Sequence, residues 1–137
     1  PIIIFKGTED PLVPYQGGGV VNDERGEVMS TEDEVSLWLE SAGCDANTST
    51  KETLDSDTED GISTEKQSWS EGCEDAPVIL YTVHGGGHTW PGNPLQYAPK
   101  RLIGLPSDAV DATARLWEFF ARFRAAPEAN RPAGEKG

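Results

Sequence analysis

The chain has 137 residues, enough for one ordinary domain, and its 36% apolar content with four Trp and four Phe can fill a core. No apolar run is long enough to form a membrane-spanning helix. A net charge of -13 argues against nucleic acid, whose phosphates call for Lys and Arg.

That charge is concentrated. Residues 31–75 carry fourteen Asp and Glu against two Lys, while the remainder is close to neutral. Such a stretch reads first as a solvated face.

In chain order, "PIIIF" opens as a run of β-branched and aromatic residues, the pattern of a strand buried on both faces. A strand of that kind needs neighbours on both sides, so the expectation is of sequence lying upstream of Pro1. No methionine, charged n-region or signal peptide precedes it. The loop "KGTEDPLVPYQGGG" follows, rich in turn formers. Gly17, Gly18 and Gly19 lack dinucleotide-binding spacing and read as a turn.

A helix is expected over "TEDEVSLWLESAG". Thr31 and Glu34 would form a capping box, Val35, Trp38, Leu39 and Ala42 an apolar stripe, and Gly43 the stop. "KETLDSDTEDGISTEKQSW" reads as two solvent-facing strands turning near Asp60-Gly61. A calcium loop beginning at Asp55 would need glycine at position 60 and glutamate at 66, where Asp60 and Lys66 stand, so the register fails.

"APVILYTV" is a second buried strand, and it runs directly into "HGGGHTWPG". After an unpatterned connection, a last helix is expected with Ser107 or Asp108 as its cap. Val110, Thr113, Trp117 and Phe120 would form its apolar stripe, widened by Leu116, Phe119 and Phe123. The folded portion is placed at residues 1–124, with 125–137 a polar, disordered tail. Strand, helix, hairpin, strand, helix implies an α/β layer structure: parallel strands with flanking helices and a small hairpin excursion.

In parallel sheets the loops leaving the carboxyl ends of the strands carry the site. The first strand delivers Asp10 and the second delivers His88. An acid that orients an imidazole acting as general base makes up two thirds of an acyl-transfer triad. In α/β-hydrolases the triad runs Ser, acid, His, which would place the serine upstream of Pro1.

The competing assignments are weaker. His84 begins an "HGGG" that mimics the oxyanion motif of lipases, but that motif belongs after an early strand, and His84 reads as a strand-end residue. Glu9 neighbours Asp10 and is the lesser candidate for the acid. Trp90 either lines the acyl pocket or packs beneath the loop. No metal site is expected: the spacing of Cys44 and Cys73 excludes a CxxC zinc site, and further soft ligands are lacking. These two cysteines are either free core thiols or a disulfide, which would imply an oxidising compartment.

"GTEDPLVPY", then "GGGHTWPG", then "DATARLWEFF" resemble the secreted esterases grouped with polyhydroxybutyrate depolymerases, together with feruloyl and acetylxylan esterases. The resemblance extends from Pro1 to about Arg124 and includes "ESAGCD" and "SEGCED". It implies the C-terminal part of an α/β-hydrolase, with Asp10 as acid, His88 as base, a Cys44–Cys73 disulfide and secretion. The implied chemistry is ester hydrolysis through an acyl-serine, on a polyester or plant cell-wall ester and without a cofactor. The family's nucleophile elbow and oxyanion donors have no counterpart in these residues. Lys6 stands where relatives usually carry histidine, with no catalytic consequence expected.

With upstream sequence the protein is expected to be a soluble monomer. Residues 1–137 alone would expose apolar strand edges. The alternative function is a non-catalytic piece that folds against a partner.

Overall fold

A computed structural model describes residues 1–21, 24–55, 61–73, 76–93 and 98–123. The elements in chain order are β1 (Ile2–Gly7), β2 (Gly18–Gly19), β3 (Glu27–Val28), α1 (Thr31–Ser41), β4 (Thr50–Asp55), β5 (Ser63–Trp69), β6 (Val78–His84), α2 (Lys100–Ile103) and α3 (Ala112–Ala121). Strands β2 and β3 form a two-stranded antiparallel ribbon, and the main sheet has the order β1-β6-β5-β4.

This sheet corrects the expected fold class. Only β1 and β6 are parallel, whereas β6–β5 and β5–β4 are antiparallel, so the sheet is mixed and mainly antiparallel rather than a parallel α/β-hydrolase piece. The segment read as a hairpin excursion is part of the sheet itself: β5 pairs with β6 at every position from Ser63↔His84 to Trp69↔Val78. Its polar sequence hid this, because strand pairing uses backbone groups that every residue carries. Thr64 and Trp69, at 0% and 5% exposure, anchor the two ends of β5 in the interior. The expected turn at Asp60-Gly61 and the rejected calcium loop fall largely on 56–60, outside the described residues. The expected tail at 125–137 also lies outside them.

Strand β6 is the centre of the molecule. Val78, Leu80, Tyr81, Thr82 and Val83 are all buried, as its apolar run implies. Strand β1 departs from expectation. Only Ile4 is buried and its neighbours are half-buried, because β1 pairs with β6 on one side and forms an edge of the sheet.

Helix α1 covers one face, where Val35 and Leu39 pack with Ile4, Trp69, Val78 and Leu80. Its cap lies one residue earlier than the capping box predicted. Ser30 Oγ accepts the Asp33 N–H at 3.1 Å and donates to the Asp33 carboxylate at 2.7 Å, while Thr31 is itself buried. The stop at Gly43 is as expected. Gly43 has φ +67°, and the N–H groups of Gly43 and Cys44 donate to the carbonyls of Glu40 and Leu39, closing the helix end. Cys44 then bonds to Cys73 just beyond β5, with Cα atoms 4.1 Å apart.

Helix α3 lies on the other face. Asp111, not Ser107 or Asp108, is its cap, accepting the Ala114 N–H at 2.9 Å. Ser107 is buried, with its hydroxyl 3.5 Å from that of Thr64. The face that packs runs through Ala112, Leu116 and Phe119, and Phe119 borders a small cavity together with Ile3, Ile79 and Tyr81. Trp117 and Phe120, expected in the stripe, are 76% and 44% exposed. The helix is apolar around much of its circumference, and periodicity alone does not say which side meets the sheet. Phe119→Ala should therefore lower unfolding free energy by about 3–5 kcal/mol. Trp117→Ala should change it by about 0.5 kcal/mol or less. Urea unfolding of the two variants checks the choice of face, and equal losses would contradict it.

Candidate active site

The parallel register sets the ends of β1 and β6 level, Gly7 opposite Val83. The loops beyond them stay joined: the Thr8 N–H donates to Val83 O at 3.0 Å, Glu9 N–H to Gly86 O at 2.9 Å, and Gly85 N–H to Thr8 Oγ1 at 2.9 Å. Asp10 and His88 therefore emerge side by side although 78 residues separate them.

The glycines make this approach possible. A side chain at Gly7 would place its Cβ 2.4 Å from Gly86 O, and one at Gly87 would lie 2.1 Å from Ile103 O. Both obstacles are backbone atoms, so neither could turn aside. From below, the turn at α2 and the segment after it hold the loop: His88 N–H donates to Ile103 O, and Gly87 N–H to Leu105 O at 2.9 Å. That support comes from "RLIGL", a stretch with no periodicity to mark it in the sequence.

Asp10 uses both carboxylate oxygens. Oδ1 accepts the N–H groups of Leu12 and Val13 at 2.8 and 2.9 Å, which fixes the plane of the group. Oδ2 lies 2.8 Å from His88 Nδ1. An ionised carboxylate only accepts, so Nδ1 carries the hydrogen and the neutral ring keeps its lone pair on Nε2. The Asp10 side chain is 11% exposed and that of His88 50% exposed, so the acid is sheltered while the ring is accessible. This arrangement can accept a proton at Nε2 and stabilise the resulting imidazolium.

Beside the pair lies a mostly apolar cavity of about 360 Å³, walled by Phe5, Val13, Val83, Trp90 and Pro91, with Asp10 and His88 on its lining. Trp90 both lines the cavity and packs against the protein. Its Nε1–H donates to Thr113 Oγ1 on α3 at 2.9 Å, and its ring lies 5.7 Å from that of Phe5. Phe5 stacks in turn on Tyr81, whose phenol pKa is raised chiefly by burial. Sequence reasoning missed Phe5, Val13 and Thr113 as site residues. Phe5 could have been found from strand alternation, since it shares a face with the end of the strand that leads to Asp10.

His84 ends β6 opposite Ser63, is exposed, and does not line the cavity; nor does Glu9. The N–H groups of residues 85–89 all have acceptors: Thr8 Oγ1 and the carbonyls of Val83, Leu105, Ile103 and Gly87. The "HGGG" segment is therefore occupied with holding its own shape and has no donor free for an oxyanion. Among the described residues, no serine or cysteine lines the cavity, and no group of three or more His, Cys, Asp or Glu could hold a metal ion. No described helix is long and apolar enough to cross a membrane.

The chain is similar to an esterase-like protein. The relative is "Putative esterase NocK" of Nocardia uniformis subsp. tsuyamanensis, 28% identical over 125 residues, which covers 81% of this chain and 36% of the relative. The chain thus spans about a third of the length of the curated protein it matches. No protein-family model matches it, and no solved structure does. The similarity to an esterase agrees with a hydrolase in general terms, and the Cys44–Cys73 disulfide is compatible with an extracellular protein.

Proposed function

We propose that residues 1–137 supply the acid and base of a secreted serine esterase, with Asp10 orienting His88 and Trp90 forming a wall of the acyl pocket. The observation that carries this reading is the 2.8 Å contact between His88 Nδ1 and an Asp10 carboxylate whose other oxygen is held by two backbone N–H groups. The nucleophilic serine and the oxyanion donors lie in sequence outside these residues.

In this scheme His88 Nε2 takes the proton of the serine hydroxyl as its oxygen attacks the ester carbonyl. The imidazolium, stabilised by Asp10, then protonates the departing alkoxide. Water repeats the cycle on the acyl-serine, releasing the acid and restoring both groups. The similarity to an esterase-designated protein supports the reaction class. Polyhydroxyalkanoate or plant cell-wall esters are the substrates that the family resemblance implies.

A fluorophosphonate probe tests the division of labour. The extended chain should be labelled at a single serine, while residues 1–137 alone should remain unlabelled. Stoichiometric labelling of a serine within residues 1–137 would overturn the placement of the nucleophile. An extended chain that hydrolyses no ester would leave only the non-catalytic alternative.

A further inference from the structure

We propose that the site selects uncharged esters and that Glu34 sets this selectivity. The inference rests on the esterase reading above and concerns which acyl groups the same cavity accepts.

Among the described residues, the cavity lining contains one lysine, Lys6, and no arginine. A free ammonium beside a mostly apolar cavity would attract a substrate carboxylate, since the charge would be poorly solvated and in want of a partner. Lys6 is not free. Its Nζ lies 2.8 Å from Glu34 Oε2 on α1, and both side chains are about a quarter exposed. The pair contributes no net charge to the site.

What remains is the charge of Asp10, offset only when His88 takes up a proton. In the resting state that precedes attack, with Nε2 free as a base, the site is therefore net negative. On the α1 side the charge has the same sign, since Glu32 and Asp33 flank Glu34 in its first turn, and the whole chain carries -13; Lys100 and Arg101 on α2 stand outside the lining. An ester whose acyl group ends in a carboxylate meets repulsion and finds, among the described residues of the lining, no lysine or arginine except the paired Lys6. A neutral acyl chain loses nothing to charge and gains the apolar walls of Phe5, Val13 and Trp90. Glu34 is thus a specificity residue acting through Lys6, with no part in proton transfer.

The test compares two esters of equal chain length, p-nitrophenyl hexanoate and the mono-p-nitrophenyl ester of adipic acid, on the extended chain. At low salt kcat/KM should favour the hexanoate by about tenfold or more, and the gap should narrow as salt rises. Glu34→Gln should raise kcat/KM for the adipate ester several-fold and leave the hexanoate within about twofold. Equal use of both esters at low salt, or an adipate rate unmoved by Glu34→Gln in a folded variant, would overturn the proposal. If neither ester is hydrolysed, the esterase reading fails instead. Binding then decides the selectivity: hexanamide should shift the His88 ring resonances of this chain at concentrations where the monoamide of adipic acid does not, and equal shifts would refute it.

Discussion

His88→Ala in the extended chain is expected to lower the rate of p-nitrophenyl acetate hydrolysis by a factor on the order of 10⁴–10⁶, because the members of a triad act as a unit. Asp10→Asn should cost about 10⁴, since an amide in place of Oδ2 can donate to Nδ1 and so favour the tautomer with its lone pair on the wrong nitrogen. The double variant should be little worse than His88→Ala, for the acid works only through the ring it orients 2.8 Å away. His84→Ala should leave the rate within about twofold. His84 lies at the end of β6, away from the cavity lining, and its loss removes no group near the reacting atoms. An exchange of behaviour between the two histidine variants would assign the base to His84. A Glu9→Gln variant as damaged as Asp10→Asn would reopen the choice of acid.

The second large effect concerns stability. The Cys44–Cys73 bond closes a loop with a sequence separation of 29 residues, and removing such a constraint from the unfolded chain is worth about 3–4 kcal/mol by loop-closure entropy. The loop it closes contains β4 and β5, so the bond ties the end of α1 to the far end of the antiparallel half of the sheet. Both sulfurs border the cluster that includes Leu39 and Trp69, so a Cys44→Ala/Cys73→Ala double variant also loses some packing. Its urea midpoint should fall accordingly, and reducing agent should lower that of the parent by a similar amount while leaving the variant unaffected. Thiol titration of denatured, unreduced protein should find no free cysteine. Two free thiols, or a midpoint indifferent to reductant, would contradict the bond and its role.

The two loops that bring Asp10 and His88 together in the candidate site were legible in the chain because their signals are local. Asp10 follows a strand in a run of turn formers, and His88 stands beyond three consecutive glycines that neither helix nor strand would choose. The structure explains those glycines one by one: Gly85 has a positive φ, a Cβ at Gly86 would meet the Val83 side chain, and one at Gly87 the Ile103 carbonyl. The helix stop at Gly43 was readable for the same reason, a positive φ that glycine adopts without strain. The start of α1 was less so. Ser30-x-x-Asp33 and Thr31-x-x-Glu34 overlap as capping patterns, and the choice depended on Thr31 being drawn into the interior, where its N–H meets Tyr15 O at 2.9 Å.

By itself, then, the sequence determined where most elements run, which loops are specially shaped, and which acid and imidazole they present. Each of these follows from the conformational preferences of a few adjacent residues. Only the tertiary structure decided that the sheet is mixed, that β5 is an interior strand, that Phe119 rather than Trp117 meets the sheet, and that the "RLIGL" turn supports His88. Strand order is settled by backbone hydrogen bonds that carry no side-chain label, and the buried face of an aromatic helix by the shape of the surface it meets. Neither quantity exists until distant segments are brought together.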